Sequence, residues 1–398
     1  ARPRTRNNAK QCRTALSARN MQPVVALPLA VAAALWWCSA ATVSAWNITR
    51  LYGTSVPARL TDVAVWRNRA YACWPRADAA QPVTLLELPW PETKERPWAP
   101  ARWTPRRSFH ADQQKIGDCR FVQSAVAVDL DKIRGHLYVL DGGYGNNSCQ
   151  PKIVVFDLKI KKFIRWTELN GLNGSGLTAL VVDARPFNGR TRVYIGDANG
   201  RGHLTVFDPN RSIWYRVALL QHAVTTAAED AADGRSDDDV DVPAEHVAVS
   251  KFRSCVFLTS ARSHSFYSAS FNDLRNLTSY YHGYNAKNGD TLPIGLQVCR
   301  EDDKVGNSSG LYADIQGGLN YVYTRDFVAL RFVPGAGVGV EEHTVVLQSH
   351  ESLPAVTKIF TDNLNYLQVW ALNAVPNAEN RHTVKINTLH KQSVTARA

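Results

Sequence analysis

The sequence predicts an all-β fold, a six-bladed β-propeller, and three observations carry that expectation. A two-part motif is written twice between residues 136 and 217, short β-rich runs with the same signature recur at six places, and helical stretches are few. The first copy of the motif is His136-Leu-Tyr-Val-Leu-Asp141-Gly-Gly, then Lys152-Ile-Val-Val-Phe156-Asp157. The second is Arg192-Val-Tyr-Ile-Gly-Asp197-Ala-Asn-Gly, then His203-Leu-Thr-Val-Phe207-Asp208. Self-similarity at a period of roughly 50 residues signals a repeat architecture, because one such unit cannot bury its apolar faces alone.

In order along the chain, the recurring run reads Arg69-Ala-Tyr-Ala-Cys-Trp74, His136-Leu-Tyr138, Arg192-Val-Tyr194, Ser254-Cys-Val-Phe257, Asn320-Tyr-Val-Tyr323 and Tyr366-Leu-Gln-Val-Trp370. Several are preceded by an apolar run holding one polar residue, such as Leu60-Thr-Asp62-Val, Val126-Ala-Val-Asp129 and Leu177 to Asp183. Most are followed by another run, as in Leu204-Thr-Val-Phe207 and Ser265-Phe-Tyr-Ser-Ala269. Three to four strands per unit, separated by turn residues, fit propeller blades. An irregular pair of β-sandwiches is the alternative. No long Pro/Gly/Ser linker divides residues 46–398, which read as one domain.

The start of the chain stands apart. Residues 1–20 are basic without a single acid and read as an upstream extension, because the only methionine is Met21. Residues 21–45 run through an apolar stretch to Val43-Ser44-Ala45, a small-x-small cleavage pattern, and read as a secretory signal peptide. The apolar core from Pro23 to Trp37 is short for a membrane span, so no integral membrane segment is expected in the mature chain. The expected localisation is secreted and extracellular. Six of the 46 Lys and Arg lie in this leader, so removing it lowers the net charge from +11 to +5. That modest, scattered charge gives no footprint for nucleic-acid binding.

Five cysteines remain beyond the leader: Cys73, Cys119, Cys149, Cys255 and Cys299. An odd count in an exported chain implies two bridges and one thiol left over. Sequons stand at Asn47, Asn146, Asn173, Asn210, Asn276 and Asn307, as expected of a glycoprotein. Two segments break the repeat. Residues 229–241 are an acidic run read as a solvated surface loop, its spacing unlike a calcium-binding EF-hand. Pro89 to Pro100 reads as a surface connection anchored by tryptophans.

Taken together, Leu137-Tyr-Val-Leu-Asp141-Gly-Gly, Cys149-Gln-Pro-Lys152-Ile-Val-Val-Phe156-Asp157-Leu, Tyr194-Ile-Gly-Asp197 and Trp214-Tyr-Arg216-Val resemble the yellow / major royal jelly protein family. Upstream, Trp74-Pro-Arg76 with Pro82-Val-Thr84-Leu is similar to the family's Pro-Arg and Pro-x-Thr-Leu pair. The resemblance covers about residues 60–375. It implies a six-bladed propeller, bridges Cys119–Cys149 and Cys255–Cys299, and an unpaired Cys73, whose apolar neighbours suggest a buried thiol. The acidic loop with Val242-Pro-Ala-Glu-His246, and Val328-Ala-Leu-Arg331-Phe, depart from the family's pattern and mark a divergent member.

Propellers hold ligands at the central channel, on loops and innermost strand ends. The candidate ligand-binding residues are Asp141, Asp197, Asp314, Phe327 and Asn373, with Asp62, Tyr144, Tyr312 and Tyr366 nearby in the pattern. Carboxylates beside aromatic rings suit a cationic aromatic amine, and the resemblance implies the same ligand class. For each of Asp141 and Asp197 the competing role is that of a turn former bonding neighbouring amides. No catalytic residue, metal site or cofactor is expected: nucleophile elbow, zincin and phosphate-loop motifs are all missing from the sequence, and its histidines show no ligand spacing. The leading expectation is a small-ligand binder; a dopachrome-converting isomerase and a cuticle-associated structural protein are the alternatives. N-terminal sequencing of the chain exported from its own leader is expected to start within a few residues of Trp46. A mature product that still carries Met21 would remove the leader assignment.

Overall fold

The computed structural model describes residues 46–79, 81–92, 114–144, 148–184, 191–200, 202–221, 241–283, 288–335, 343–362 and 366–389. The leader, most of the Pro-rich connection, Asn146 and the acidic run up to residue 240 lie outside the described residues. After a short helix α1 (Ile48–Tyr52), the chain folds into antiparallel groups. The first is β1 (Asp62–Trp66), β2 (Arg69–Cys73) and β3 (Leu85–Pro89). The second is β4 (Ala125–Asp131), β5 (His136–Asp141), β6 (Lys152–Asp157) and β7 (Lys162–Glu168). The third is β8 (Leu177–Asp183), β9 (Arg192–Asp197), β10 (His203–Asp208) and β11 (Ile213–Gln221).

The fourth group is β12 (His246–Ser250), β13 (Cys255–Thr259), β14 (Ser265–Ser270) and β15 (Leu296–Asp303), with helix α2 (Phe271–Gly283) between its last two strands. The fifth is β16 (Ser308–Ala313), β17 (Leu319–Tyr323), β18 (Val328–Phe332) and β19 (Thr344–Gln348). The sixth is β20 (Val356–Thr361), β21 (Gln368–Asn373) and β22 (Thr383–Thr388). Parallel pairing of β11 with β15, Leu219 opposite Leu296, joins the third and fourth groups into one eight-stranded sheet. That pairing covers two outer edges that would otherwise expose open backbone groups.

The first strands of the groups follow one another in a ring: β1 touches β4, β4 touches β8, then β12, β16 and β20, and β20 returns to β1. This is a propeller-like arrangement. Sheets packed on both faces need unbroken apolar runs, and β9 is buried at all six positions. Outer strands differ: in β7 only Thr167 is fully buried, and Ile164 and Trp166 remain partly in solvent. Among the described residues no helix is long and apolar enough to cross a membrane.

The duplicated motif has a local cause. Asp157 Oδ1 accepts from the amides of Lys159 and Ile160, and Asp208 Oδ1 accepts from Asn210, so each Phe-Asp ends its strand by capping a hairpin turn. The residues opening the partner strands answer them, His136 lying 3.9 Å from Asp157 and Arg192 3.5 Å from Asp208. The Asp-Gly-Gly after β5 answers a packing demand. A side chain on Gly143 would collide with the Cys149 carbonyl, and one on Gly174 with Gly142, where the second and third groups meet.

Cys119 and Cys149 form a disulfide, with Cα atoms 5.0 Å apart. Cys73 is a buried free thiol. The second expected bridge does not form: Cys255 and Cys299 are free. Strand β14 lies between them, with Ser270 opposite Cys255 and Ser268 opposite Cys299. Two strand spacings, roughly 9.5 Å, exceed the reach of a disulfide. The described sequon residues Asn47, Asn173, Asn210, Asn276 and Asn307 are all exposed.

The ring closes where the sixth group meets the first. Leu60 N donates to Ala374 O at 2.9 Å, and Thr357 Oγ1 donates to Leu60 O at 3.1 Å. Trp90 stands edge-on to Trp370 and Phe360, with centroids 5.1 and 5.5 Å away, and Trp46 tilts against it at 6.2 Å. Beside this cluster Glu92 is buried, its Oε2 accepting from Thr383 N and Oγ1 at 2.9 Å each. Burial pushes the Glu92 pKa up to about 7, against the pull of the Thr383 bonds. An unfolded glutamate titrates near 4.3. The protonated form is thus favoured in the folded chain: its stabilising effect is full below about pH 4 and is lost as pH rises through about 7. Glu92→Gln is expected to remove about 3 kcal/mol of the stability decline between about pH 5 and about pH 8. Urea denaturation at the two pH values measures it; an unchanged decline in the variant counts against this assignment.

Candidate functional site

The first strands converge on a cavity of about 700 Å³. Its walls are largely apolar because each of these strands contributes aliphatic residues to the lining: Val63 and Val65 from β1, Leu130 from β4, Val181 from β8, Val247 and Val249 from β12, Leu311 from β16, and Ile359 from β20. The polar lining is sparse, consisting of Asp129, Lys132, Lys251, Tyr312, Asp314, Lys358, Thr361 and Tyr366. Apolar walls with a few placed polar groups, at this volume, are the attributes small-molecule pockets share.

Lys358 Nζ lies 3.2 Å from Asp62 Oδ2, and Asp62 also accepts from the amides of Val63 and Val128. Burial pushes Asp62 up to about 6, a rise that Lys358 and the two amides limit. For Lys358 burial works downward, but the charges of Asp62 and Asp129 outweigh it and raise the pKa. The pair is therefore ionised at neutral pH. Tyr312 OH shares a 2.9 Å hydrogen bond with Thr361 Oγ1, and burial pushes its pKa up to about 12, leaving it a neutral phenol. Lys132 Nζ sits 5.0 Å from the Tyr366 ring centroid. Burial lowers its pKa, Asp129 opposes that shift and Lys251 adds to it.

Of the five candidate ligand residues, the structure brings only Asp314 to the channel wall. Its carboxylate accepts from Arg331 Nε at 2.7 Å, from the amides of Gln316 and Gly318, and from Asn320 Nδ2. Asp141 is fully buried, paired with Lys152 at 2.9 Å and accepting from Gln123 N, Ser124 N and Gly143 N. Asp197 accepts from Asn199 N in its turn, and its own amide donates to Ala244 O of the next group. Asn373 is buried, its Nδ2 donating to Ser352 O. Phe327 stands at the β17–β18 turn with φ 53° and packs on His350 at 4.3 Å. Sequence reasoning missed Lys132, Lys251 and Lys358. The signal for two of them is legible, since Lys132-Ile-Arg134 and Lys251-Phe-Arg253 follow the first strands of two groups in the same register. Among the described residues no cluster of three His, Cys, Asp or Glu is placed to hold a metal ion.

The family's specific motifs are also structural here. Arg76 donates to the carbonyls of Gln123 and Gln81, tying the first group to the second, and Lys152 neutralises buried Asp141. An all-β, propeller-like protein with a ligand-sized central channel is the class that fold and site define. The family model for Major royal jelly protein matches residues 123–283, from just before β4 through α2. Major royal jelly protein 3 of Apis mellifera is 38% identical over 98 residues, 22% of this chain and 18% of that protein. Major royal jelly protein 6 of the same organism is 38% identical over 94 residues, 21% of each. These matches support a divergent member of the yellow / major royal jelly protein family, and the aligned stretches span about a fifth of these relatives' lengths.

Among solved structures, the extracellular domain of a putative hybrid two-component system of B. thetaiotaomicron aligns at TM-score 0.43 and 11% identity, covering 84% of this chain and 33% of that one. That of a putative one-component system of the same organism aligns at 0.42 and 12%, covering 81% and 33%. Likeness at this level says nothing about function. Lys358→Met is expected to destabilise the chain by about 3 kcal/mol in urea titration, because it strands a buried carboxylate. Adding Asp62→Asn is expected to recover part of that loss, and full additivity of the two changes would rule out the pair as the cause.

Proposed function

We propose that this chain is a secreted binding protein that takes up one small, largely apolar organic molecule in its central channel. The observation that carries the reading is the cavity of about 700 Å³, walled by first strands of the ring with few polar groups. The family match supports the yellow-like class; the leader and the exposed sequon residues support secretion and glycosylation.

A biogenic amine is one ligand within this reading. Its groups in the channel would be Asp129, which among the described residues stands outside any ion pair, with the rings of Tyr312 and Tyr366. Asp141, Asp197 and Asn373 would serve only as supports for the loops. Binding without chemistry is the simpler function, because Tyr312 of the wall is a neutral phenol and the channel lysine Lys358 is held in an ion pair with Asp62. Calorimetric titration of the mature protein with serotonin, dopamine and octopamine tests that ligand: saturable one-site heats weakened about tenfold or more by Asp129→Asn support an amine and count against an anionic ligand in the same channel. Dopachrome loss above the spontaneous rate, abolished by channel substitutions, would replace binding with isomerase activity. Inertness in both assays leaves the amine unsupported and favours a structural role.

A further inference from the structure

The mouth of the channel is built in part by the turns after β4 and β12, which the sequence writes alike as Asp131-Lys132-Ile133-Arg134 and Ser250-Lys251-Phe252-Arg253. In each turn the lysine lines the channel and the next residue is a large apolar side chain left in solvent, Ile133 at 45% and Phe252 at 68% exposure. The arginines are used elsewhere, Arg134 on Asp131 and Arg253 on the Gly317 carbonyl. Ile315 and Tyr366, also exposed, line the same cavity. One exposed apolar side chain is ordinary, but four around one opening form a collar that marks an uptake site.

Inside that collar the two lysines are charges short of partners. Among the described residues no carboxylate lies within ion-pair distance of Lys132, whose ammonium faces the Tyr366 ring. Lys251 Nζ donates to the Ala184 carbonyl at 3.3 Å, a contact that leaves its charge uncompensated. Asp129 of the wall uses Oδ2 to accept from Val182 N; its field acts on both Lys132 and Lys358, and that of Asp362 acts on Lys132. Asp314 of the same wall is already paired with Arg331, so the two ammonium groups repel an entering cation, whereas an anion gains charge-assisted hydrogen bonds from both.

The geometry points to an amphipathic carboxylate as the ligand class of this channel, its apolar chain against the Val- and Leu-lined wall and its carboxylate held at the mouth between Lys132 and Lys251. This assignment rests on the channel-binding reading above and narrows it to an anion with an apolar body.

The test is displacement of a dansyl-labelled undecanoate from the exported full chain by dodecanoate, dodecanol and dodecylamine. Dodecanoate is expected to displace the probe at about tenfold lower concentration than dodecanol, with dodecylamine weakest. Lys132→Met with Lys251→Met is expected to abolish that preference while leaving dodecanol within about twofold, and Lys132→Arg with Lys251→Arg to retain it. Dodecylamine binding as tightly as dodecanoate, or a preference that survives the double methionine variant, overturns the assignment. So does partition onto zwitterionic vesicles with no displacement by free dodecanoate, which would make the collar a membrane contact. If dodecanol binds with no preference for the acid, the channel reading stands and only the carboxylate class falls; if neither the probe nor any of the three binds, both fall.

Discussion

A ring of sheets is only as stable as the contact between its last member and its first, and in this chain that contact is polar as well as apolar. Most neighbouring groups are joined by a short connection that limits how far they separate on opening. The sixth and first groups have no such tether, since 297 residues of sequence separate Thr357 from Leu60 and 296 separate Lys358 from Asp62. The seam compensates by concentrating its largest rings, Trp46, Trp90 and Trp370, against Phe360, and by giving the Trp46 and Trp90 indoles defined acceptors at Pro89 O and Asp362 Oδ2. Aromatic packing supplies area and the directed bonds supply register. The Asp62–Lys358 pair adds little net stability by itself, because desolvation offsets its attraction. Its effect is on specificity: a sixth group docked out of register leaves a charge buried alone.

The same device, a side chain from one first strand bonding the backbone of the next, recurs around the ring. Asp62 accepts from Val128 N and Asp129 from Val182 N; Thr61 donates to Val126 O and Thr178 to Glu245 O. These links explain why polar residues interrupt otherwise apolar runs. An unpaired buried amide or carbonyl costs more than a made bond returns, so the interrupting residues fix where neighbouring sheets stop sliding. They also use up most of the acidic groups that a ligand would otherwise meet, leaving the channel wall mainly hydrocarbon.

The fold class was legible because it depends on periodicity, and periodicity survives divergence. The duplicated motif marks strands β5–β6 and β9–β10 with their turns intact. What was not legible follows from geometry that spacing does not encode. Cys255 and Cys299 share a sheet and a face, and only the register across β14 reveals that a strand separates them. Asp141 and Asp197 recur because the turns recur, so their recurrence gave no information about ligands. Asp314 reached the channel, but its partner Arg331 comes from β18, a pairing invisible to any local pattern. Phe327 stands in a left-handed turn position that the sequence does not reveal, and its ring packs on His350.

The lysines of the channel were overlooked for a related reason. A lysine after a strand reads as a solvated turn, and in a single sheet it would be one. In a ring, the turns that follow the first strands surround one opening, so residues that are peripheral in each unit become neighbours at the axis. Closure therefore converts a local repeat into a site: Lys132 and Lys251 belong to groups two apart in sequence order and still feel each other's charge. Any residue repeated in that register is brought to the mouth by symmetry alone, and a change there is cheap because the turn is not part of the packed wall. The wall and the seam specify that a channel exists, while the strand-end turns are free to vary and set what the channel admits.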